Sequence, residues 1–461
     1  MFGRVKGLSI VAACVAAILP SIAPASEELT IERIVAPRPA MGLPPRGFVW
    51  APNGRRYVYQ VPAPLENAAP QLRVYDASGS DLALRAASAQ ARGTRSRPID
   101  QIVWSPDSAR LAYIDGGALR LATWRGVDLG RFARVADDPQ WSPDGTRIAF
   151  ANGGGLQLVD LRTRAVRTVA RPASADAIVG DPDWLYSEEL DLAHAFAWSP
   201  RGDALAYLRF DESHVTAFPI QDFLVPDIRV EFQRYPLAGE ANPRVSLHVV
   251  ELPSGRDRTL YDAAARDEYL VNFAWRPSGT AIVAQVLDRA QRHLALRSFA
   301  SDGSLGRTIL RESDSRFVDA SPAPVFLADG RRFLWISERE RTRSLYVVDA
   351  DTSAVRRLTH AFPVAALLAL DAKHGVAFVD ARYPTRRDRA LIAVSLAGAP
   401  MRVITPEAGT HAIAMSPRGE RFVDTFSTVS QPPGVERGAT SGPGRSVIFV
   451  TPSLDRFGLG T

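Results

Sequence analysis

Pro139-Gln140-Trp141-Ser142-Pro143-Asp144-Gly145, two residues ahead of Ile148-Ala149-Phe150, reads as the end of one strand, a tight turn and the start of the next strand. Proline presets the first turn residue, the Asx side chain closes the turn on its own backbone, and glycine takes the left-handed exit. Variants of this phrase run along the whole chain. They begin with Trp50-Ala51-Pro52-Asn53-Gly54, Trp104-Ser105-Pro106-Asp107, Trp198-Ser199-Pro200-Arg201-Gly202 and Trp275-Arg276-Pro277-Ser278-Gly279. Degenerate copies follow at Phe326-Leu327-Ala328-Asp329-Gly330, Leu370-Asp371-Ala372-Lys373-His374-Gly375 and Met415-Ser416-Pro417-Arg418-Gly419.

Each copy is followed by an apolar strand, as in Leu111-Ala112-Tyr113-Ile114, and then by another, as in Leu156-Gln157-Leu158-Val159 or Ser344-Leu345-Tyr346-Val347. Antiparallel strands joined by tight turns and repeated every about fifty residues are propeller blades, which bury their faces only by stacking on one another. Eight copies predict an all-β, eight-bladed β-propeller. Five of the eight tryptophans occupy the repeated slot, where a large ring packs between neighbouring sheets. The longest gap, from Trp198 to Trp275, holds an apolar insertion, Val215 to Tyr235. It reads either as a projecting arm that seeks a partner surface or as a hairpin folded onto its own propeller.

With 461 residues, 46% hydrophobic and 23% charged, the chain has the composition of a folded globular protein. The 55 basic and 50 acidic residues are interspersed, which gives no nucleic-acid footprint. Arg4 and Lys6, the apolar run Leu8 to Leu19 and Ala23-Pro24-Ala25 have the layout of a signal peptide over residues 1–25. The expected mature chain, residues 26–461, is exported to the periplasm or the extracellular space. Val11-Ala12-Ala13-Cys14 is a faint lipoprotein-like alternative. Since Cys14 is the only cysteine, the mature chain would hold no thiol for a disulfide, a metal or nucleophilic attack. No apolar run reaches the ~20 residues of a membrane-spanning helix.

Gly180-Asp181-Pro182-Asp183-Trp184-Leu185-Tyr186-Ser187-Glu188-Glu189-Leu190 interrupts the pattern of strands. Asp-Pro-Asp-Trp predicts the start of a short helix, which carries Glu188 and Glu189 side by side. Two like charges this close are relieved by a cation. A peptide's free amino terminus is a suitable one, with three donors for the carboxylate oxygens. On the residues alone, two solvated surface glutamates remain the plainer alternative.

The phrase Asp183-Trp184-Leu185-Tyr186-Ser187-Glu188-Glu189-Leu190 resembles the N-terminal propeller domain of dipeptidyl peptidase IV. So do Leu29-Thr30-Ile31-Glu32-Arg33-Ile34, Tyr235-Pro236-Leu237-Ala238-Gly239 with Asn242-Pro243, Trp335-Ile336-Ser337-Glu338-Arg339 and Phe422-Val423-Asp424-Thr425-Phe426-Ser427. The resemblance implies that Glu188 and Glu189 grip the amino terminus of a peptide. It also implies an arginine on the substrate carbonyl, for which Arg92, Arg95 and Arg97 lie in the region without a motif to choose among them. The insertion at Val215–Tyr235 then resembles the family's dimerisation arm, so a homodimer is expected.

Family enzymes continue into an α/β-hydrolase domain whose nucleophile sits in Gly-x-Ser-x-Gly. That motif is absent from these residues, and 434–461 reads as an irregular tail where such a domain would begin. The seven histidines show no HExxH and no helical metal pair, and two adjacent glutamates cannot flank a glycosidic bond. The sequence therefore predicts no catalytic residue, metal or cofactor, and a module that binds or gates peptide amino termini. The alternatives are the non-catalytic half of a split or truncated serine-type dipeptidyl peptidase, with a separate α/β-hydrolase chain as partner, and a scaffold whose glutamates are vestigial.

Overall fold

Eight antiparallel sheets follow one another along the chain, at 46–84, 99–133, 137–170, 177–262, 268–313, 325–357, 364–403 and 410–449. The computed structural model describes residues 30–31, 43–62, 71–84, 99–153, 155–223, 228–304, 306–442 and 444–451. The sheets lie within the unit 44–450. The expected signal peptide, Cys14 and Arg92, Arg95 and Arg97 fall outside the described residues. Among the described residues, no helix is long and apolar enough to cross a membrane.

The eight sheets are the blades of the predicted propeller, each built from strands that follow one another in sequence, with the insertion of blade 4 standing between two of its strands. First strands lie side by side at the junctions of blades 1/2, 2/3, 4/5 and 7/8, and the first strand of blade 8 meets that of blade 1. First strands are therefore innermost, and among the described residues the ring closes without a shared sheet.

Alternation within one strand shows where the core sits. In blade 3, Ile148 and Phe150 pack toward blade 2 with Ile114 and Leu121. Ala149 and Ala151, one residue out of phase, pack toward blade 4 with Phe196 and Leu205. Both faces are buried, so both phases of the strand are apolar. The core is thus a series of apolar wedges between neighbouring sheets, the last of which joins Tyr57 and Tyr59 of blade 1 to Val423 and Val435 of blade 8.

The repeated phrase has a local and a long-range job. Locally, the fully buried serines Ser105, Ser142, Ser199 and Ser416 close the turn. Their hydroxyls accept the backbone N–H five residues on, at 2.9–3.2 Å. The turn glycine has φ +67° at Gly145 and +70° at Gly202, a conformation costly for other residues. At long range, each slot tryptophan donates its indole N–H to the preceding blade, to the residue just before the equivalent slot. Trp104 bonds Val49 O at 2.9 Å, Trp141 bonds Val103 O at 3.3 Å, and Trp198 bonds Gln140 O at 3.1 Å. Trp275 bonds Ala197 O at 3.1 Å, and Trp50 closes the ring on Ala414 O at 3.0 Å. At the seam of blades 5 and 6, where the slot holds Phe326, buried Trp335 instead donates to Glu312 at 2.8 Å.

One stretch differs in detail from the sequence reading. Residues from 434 on, expected as an irregular tail, supply the outer two strands of blade 8, Gly434–Ala439 and Arg445–Phe449. Gly434, Gly438 and Gly444 make this stretch look loop-like, but Val435, fully buried against blade 1, holds it in the sheet. The insertion of blade 4 forms a two-stranded hairpin, Ala217–Asp222 paired with Arg229–Arg234. It exposes Phe218, Ile220, Phe223, Ile228 and Phe232.

Replacing Trp104 by Phe keeps most of the ring and removes one inter-blade hydrogen bond. The expected cost is about 1–2 kcal/mol, read as a lower urea midpoint at unchanged slope. Unaltered stability would show that ring packing alone holds the seam.

Candidate functional site

The innermost strand of blade 4 is broken in two. Ala177–Val179 and Phe196–Trp198 pair with successive parts of one neighbour, Ala204–Asp211, and the chain between them loops out. The backbone ladder bridges the gap through Gly180 N–H to Leu208 O at 3.0 Å and Leu208 N–H to Ala195 O at 2.8 Å. This excursion carries the helix Trp184–Glu188, with Glu189 as its C-cap. Because the interrupted strand is innermost, the helix belongs to the inner layer of the ring, against the first strand of blade 5.

The helix is one turn long, too short to hold itself. Three anchors hold it. Asp183 caps it, accepting from Tyr186 N–H at 2.8 Å. The fully buried Tyr186 packs against Phe210 and Tyr269, between blades 4 and 5, and its hydroxyl accepts Leu270 N–H at 3.3 Å. Trp184 packs on Tyr235 at the foot of the hairpin, with ring centroids 4.5 Å apart. Apolar side chains thus fix one face of the turn, while Ser187, Glu188 and Glu189 are exposed on the other. Neither glutamate carboxylate has a hydrogen-bond or ion-pair partner among the described residues.

The surroundings are acidic. Asp181 is pushed up to about 6 by burial and by the charges of Asp137 and Asp138. Burial likewise lifts Asp183 to about 6, with one carboxylate oxygen enclosed and unpartnered. Glu212, buried beside it, rises to about 7 through desolvation and the charge of Asp183. His194 bonds Asp138 at 2.8 Å, and this contact raises its pKa. A cation entering this region meets attraction from several carboxylates, whereas an anion meets repulsion. Among the described residues, no three His, Cys, Asp or Glu side chains converge as metal ligands.

The structure brings the sequence-predicted Glu188 and Glu189 together on one exposed turn. Sequence reasoning missed Glu212 and the Asp138–His194 contact. Glu212 follows the blade's second strand with no pattern to mark it, and Asp138 and His194 are 56 residues apart. Their only signal is tertiary.

The dipeptidyl peptidase IV N-terminal region, as a family model, matches residues 121–433 of this chain. The chain belongs to this family. Inactive dipeptidyl peptidase 10 of Rattus norvegicus is 33% identical over 183 residues, spanning 38% of this chain and 23% of that protein. Dipeptidyl peptidase 4 of Trichophyton tonsurans is 26% identical over 287 residues, spanning 58% and 36%. The crystal structure of Porphyromonas gingivalis dipeptidyl peptidase 4 superimposes with a TM-score of 0.74 at 21% identity, covering 89% of this chain and 60% of that one. The chain therefore spans well under half the length of these curated relatives, and the structural likeness supports the shared propeller fold. The helix with the double glutamate lies inside the matched region.

Asp181, Asp183 and Glu212 keep protons in the folded chain at pH values where the unfolded chain has released them. Their contribution to stability is complete below about pH 4 and is lost as pH rises through 6 to 7. Denaturant unfolding at pH 5.5 should therefore give a higher midpoint than at pH 8. Asp183→Asn, which keeps an oxygen for the cap, should flatten that difference. A midpoint that rises with pH across this range would contradict the assignment.

Proposed function

We propose that this propeller binds the free amino terminus of a peptide through Glu188 and Glu189. One observation carries the reading: two adjacent carboxylates, exposed and unpartnered among the described residues, stand on a helical turn whose other face is fixed in the inner layer of the ring. An ammonium group offers three donors, and two carboxylates supply enough acceptors to satisfy it. The acidic surroundings favour that charge before contact is made. Membership of the dipeptidyl peptidase IV family supports the same ligand.

Binding without cleavage is the function we assign to these residues alone. A relative named an inactive dipeptidyl peptidase supports such a role. Since exposed ion pairs contribute only about 0.2–1 kcal/mol each, the affinity of the propeller alone should be weak and fall with salt. The layout of residues 1–25 supports an exported protein, and the exposed apolar hairpin supports a homodimer through residues 215–235.

A second reading is favoured by the share of its relatives that the chain spans. Here the propeller is the gating half of a serine-type dipeptidyl peptidase whose α/β-hydrolase half lies outside these residues, whichever chain carries it. Peptide entry would then be restricted by the same glutamates.

Titration of a Xaa-Pro peptide with a free or an acetylated amino terminus tests the first reading. The free peptide should bind at least several-fold more tightly, and Glu188→Gln with Glu189→Gln should erase the preference without changing the unfolding midpoint. Equal affinities for both peptides would remove the glutamates from the site. Release of a dipeptide only when extract from the source is added would favour the second reading.

A further inference from the structure

An arginine ladder accompanies the tryptophan ladder over the first five junctions. At each junction from blades 1/2 to 5/6, an arginine in or just after the turn reaches the next blade's turn and donates to its backbone carbonyl. The bonds are Arg56 to Ser108 O (3.4 Å), Arg110 to Gly145 O (2.9 Å), Arg147 to Gly202 O (2.8 Å), Arg201 to Gly279 O (3.4 Å) and Arg276 to Gly330 O (3.3 Å). Arg110 and Arg147 also lie over the next slot tryptophan, 4.9 and 5.3 Å from the ring centroids of Trp141 and Trp198. Arg421 occupies the same place in blade 8, five residues after Ser416. By the repeat it should bond Gly54 O and cover Trp50. Among the described residues, its guanidinium makes neither contact and has no carboxylate partner, and the residue is exposed.

A groove of about 230 Å³ opens there, lined by Trp50, Tyr75, Arg421, Arg437, Gly438 and Ser446 among others. Arg437 lies over the Tyr75 ring at 4.1 Å and also faces the hydroxyl of Tyr57. Neither arginine has an acidic partner in the lining. Half-way round the ring, the junction of blades 4 and 5 has a groove in the same place, lined by Trp275, Arg201, Asp203, Glu251 and Arg258. There both cations are neutralised, Arg201 by Asp203 at 3.3 Å and Arg258 by Glu251 at 2.6 Å. The two grooves share one architecture and differ by the two carboxylates.

We propose that the groove between blades 8 and 1 binds a small anion, the carboxylate or phosphate group of a ligand held between Arg421 and Arg437 beside the ring of Trp50. Arginine stays charged at every physiological pH and presents paired N–H donors that match both groups. Two guanidiniums sharing one groove without a counter-charge repel each other, and an anion between them removes that repulsion. The uncovered ring of Trp50 favours a ligand with a flat apolar body next to the charge. The site is separate from the double glutamate in sign of charge and in blade, and it does not depend on the peptide-binding reading.

Calorimetric titration with inorganic phosphate and with benzoate, at constant ionic strength set by chloride, tests this. At least one probe should bind saturably at millimolar concentration or below. Tighter binding of benzoate would identify a flat carboxylate ligand, and tighter binding of phosphate a phosphate-bearing one. Arg421→Gln should weaken binding roughly tenfold, the equivalent of one charge-assisted hydrogen bond, and Arg437→Gln with Arg421→Gln should abolish it. Arg258→Gln in the neutralised groove should leave it unchanged. If the double variant does not fold, the exposed Arg421→Gln decides alone. Failure of both probes to saturate, or equal affinity in Arg421→Gln, would overturn the proposal.

Discussion

A blade of four antiparallel strands has two apolar faces and cannot bury either by itself. Everything else in this chain follows from that constraint. Stacking eight blades buries every face, but the stack must also close, and among the described residues it closes without a strand borrowed from the other end of the chain. The junction of blades 8 and 1 depends on side chains: the aromatic wedge of Tyr57 and Tyr59 against Val423 and Val435, and the Trp50 hydrogen bond to Ala414. Each such bond is modest in net worth. Repeated at successive seams, always from the indole to the residue before the neighbouring slot, it sets the register of one blade against the next.

That register gives the double glutamate its place. An insertion in an outer strand would leave the helix at the rim, whereas this one interrupts the innermost strand of blade 4. A single helical turn has little stability of its own. Its position comes from Tyr186, wedged between two blades, and from Asp183, whose enclosed carboxylate is held at a desolvation cost. The glutamates themselves bear no structural load. They sit on an element that the core fixes, so their carboxylates stay available to a ligand.

The repeats also make departures from the pattern informative. Phe326 replaces a tryptophan at the junction of blades 5 and 6, and the buried Trp335–Glu312 bond takes over. Arg421 keeps its residue type at the closing junction and loses its bond. In a pseudo-symmetric molecule, each blade is a control for its neighbours, which is how the unpaired arginines of that groove stand out against the neutralised groove across the ring.

The sequence by itself determined the number of blades, the turn chemistry, the slot tryptophans and the short helix with Glu188 and Glu189. These are local: proline, Asx and glycine fix a turn within four residues, and apolar periodicity fixes a strand within six. It misjudged residues 434–449, since glycines weaken the local signal and the burial of Val435 against blade 1 outweighs them. Only the tertiary structure decided that the helix interrupts an innermost strand, that Glu212 lies beside Asp183, and that Arg421 and Arg437 share a groove without a carboxylate. Those relations join residues tens to hundreds of positions apart. They come from the closure of the ring, which no window of sequence contains.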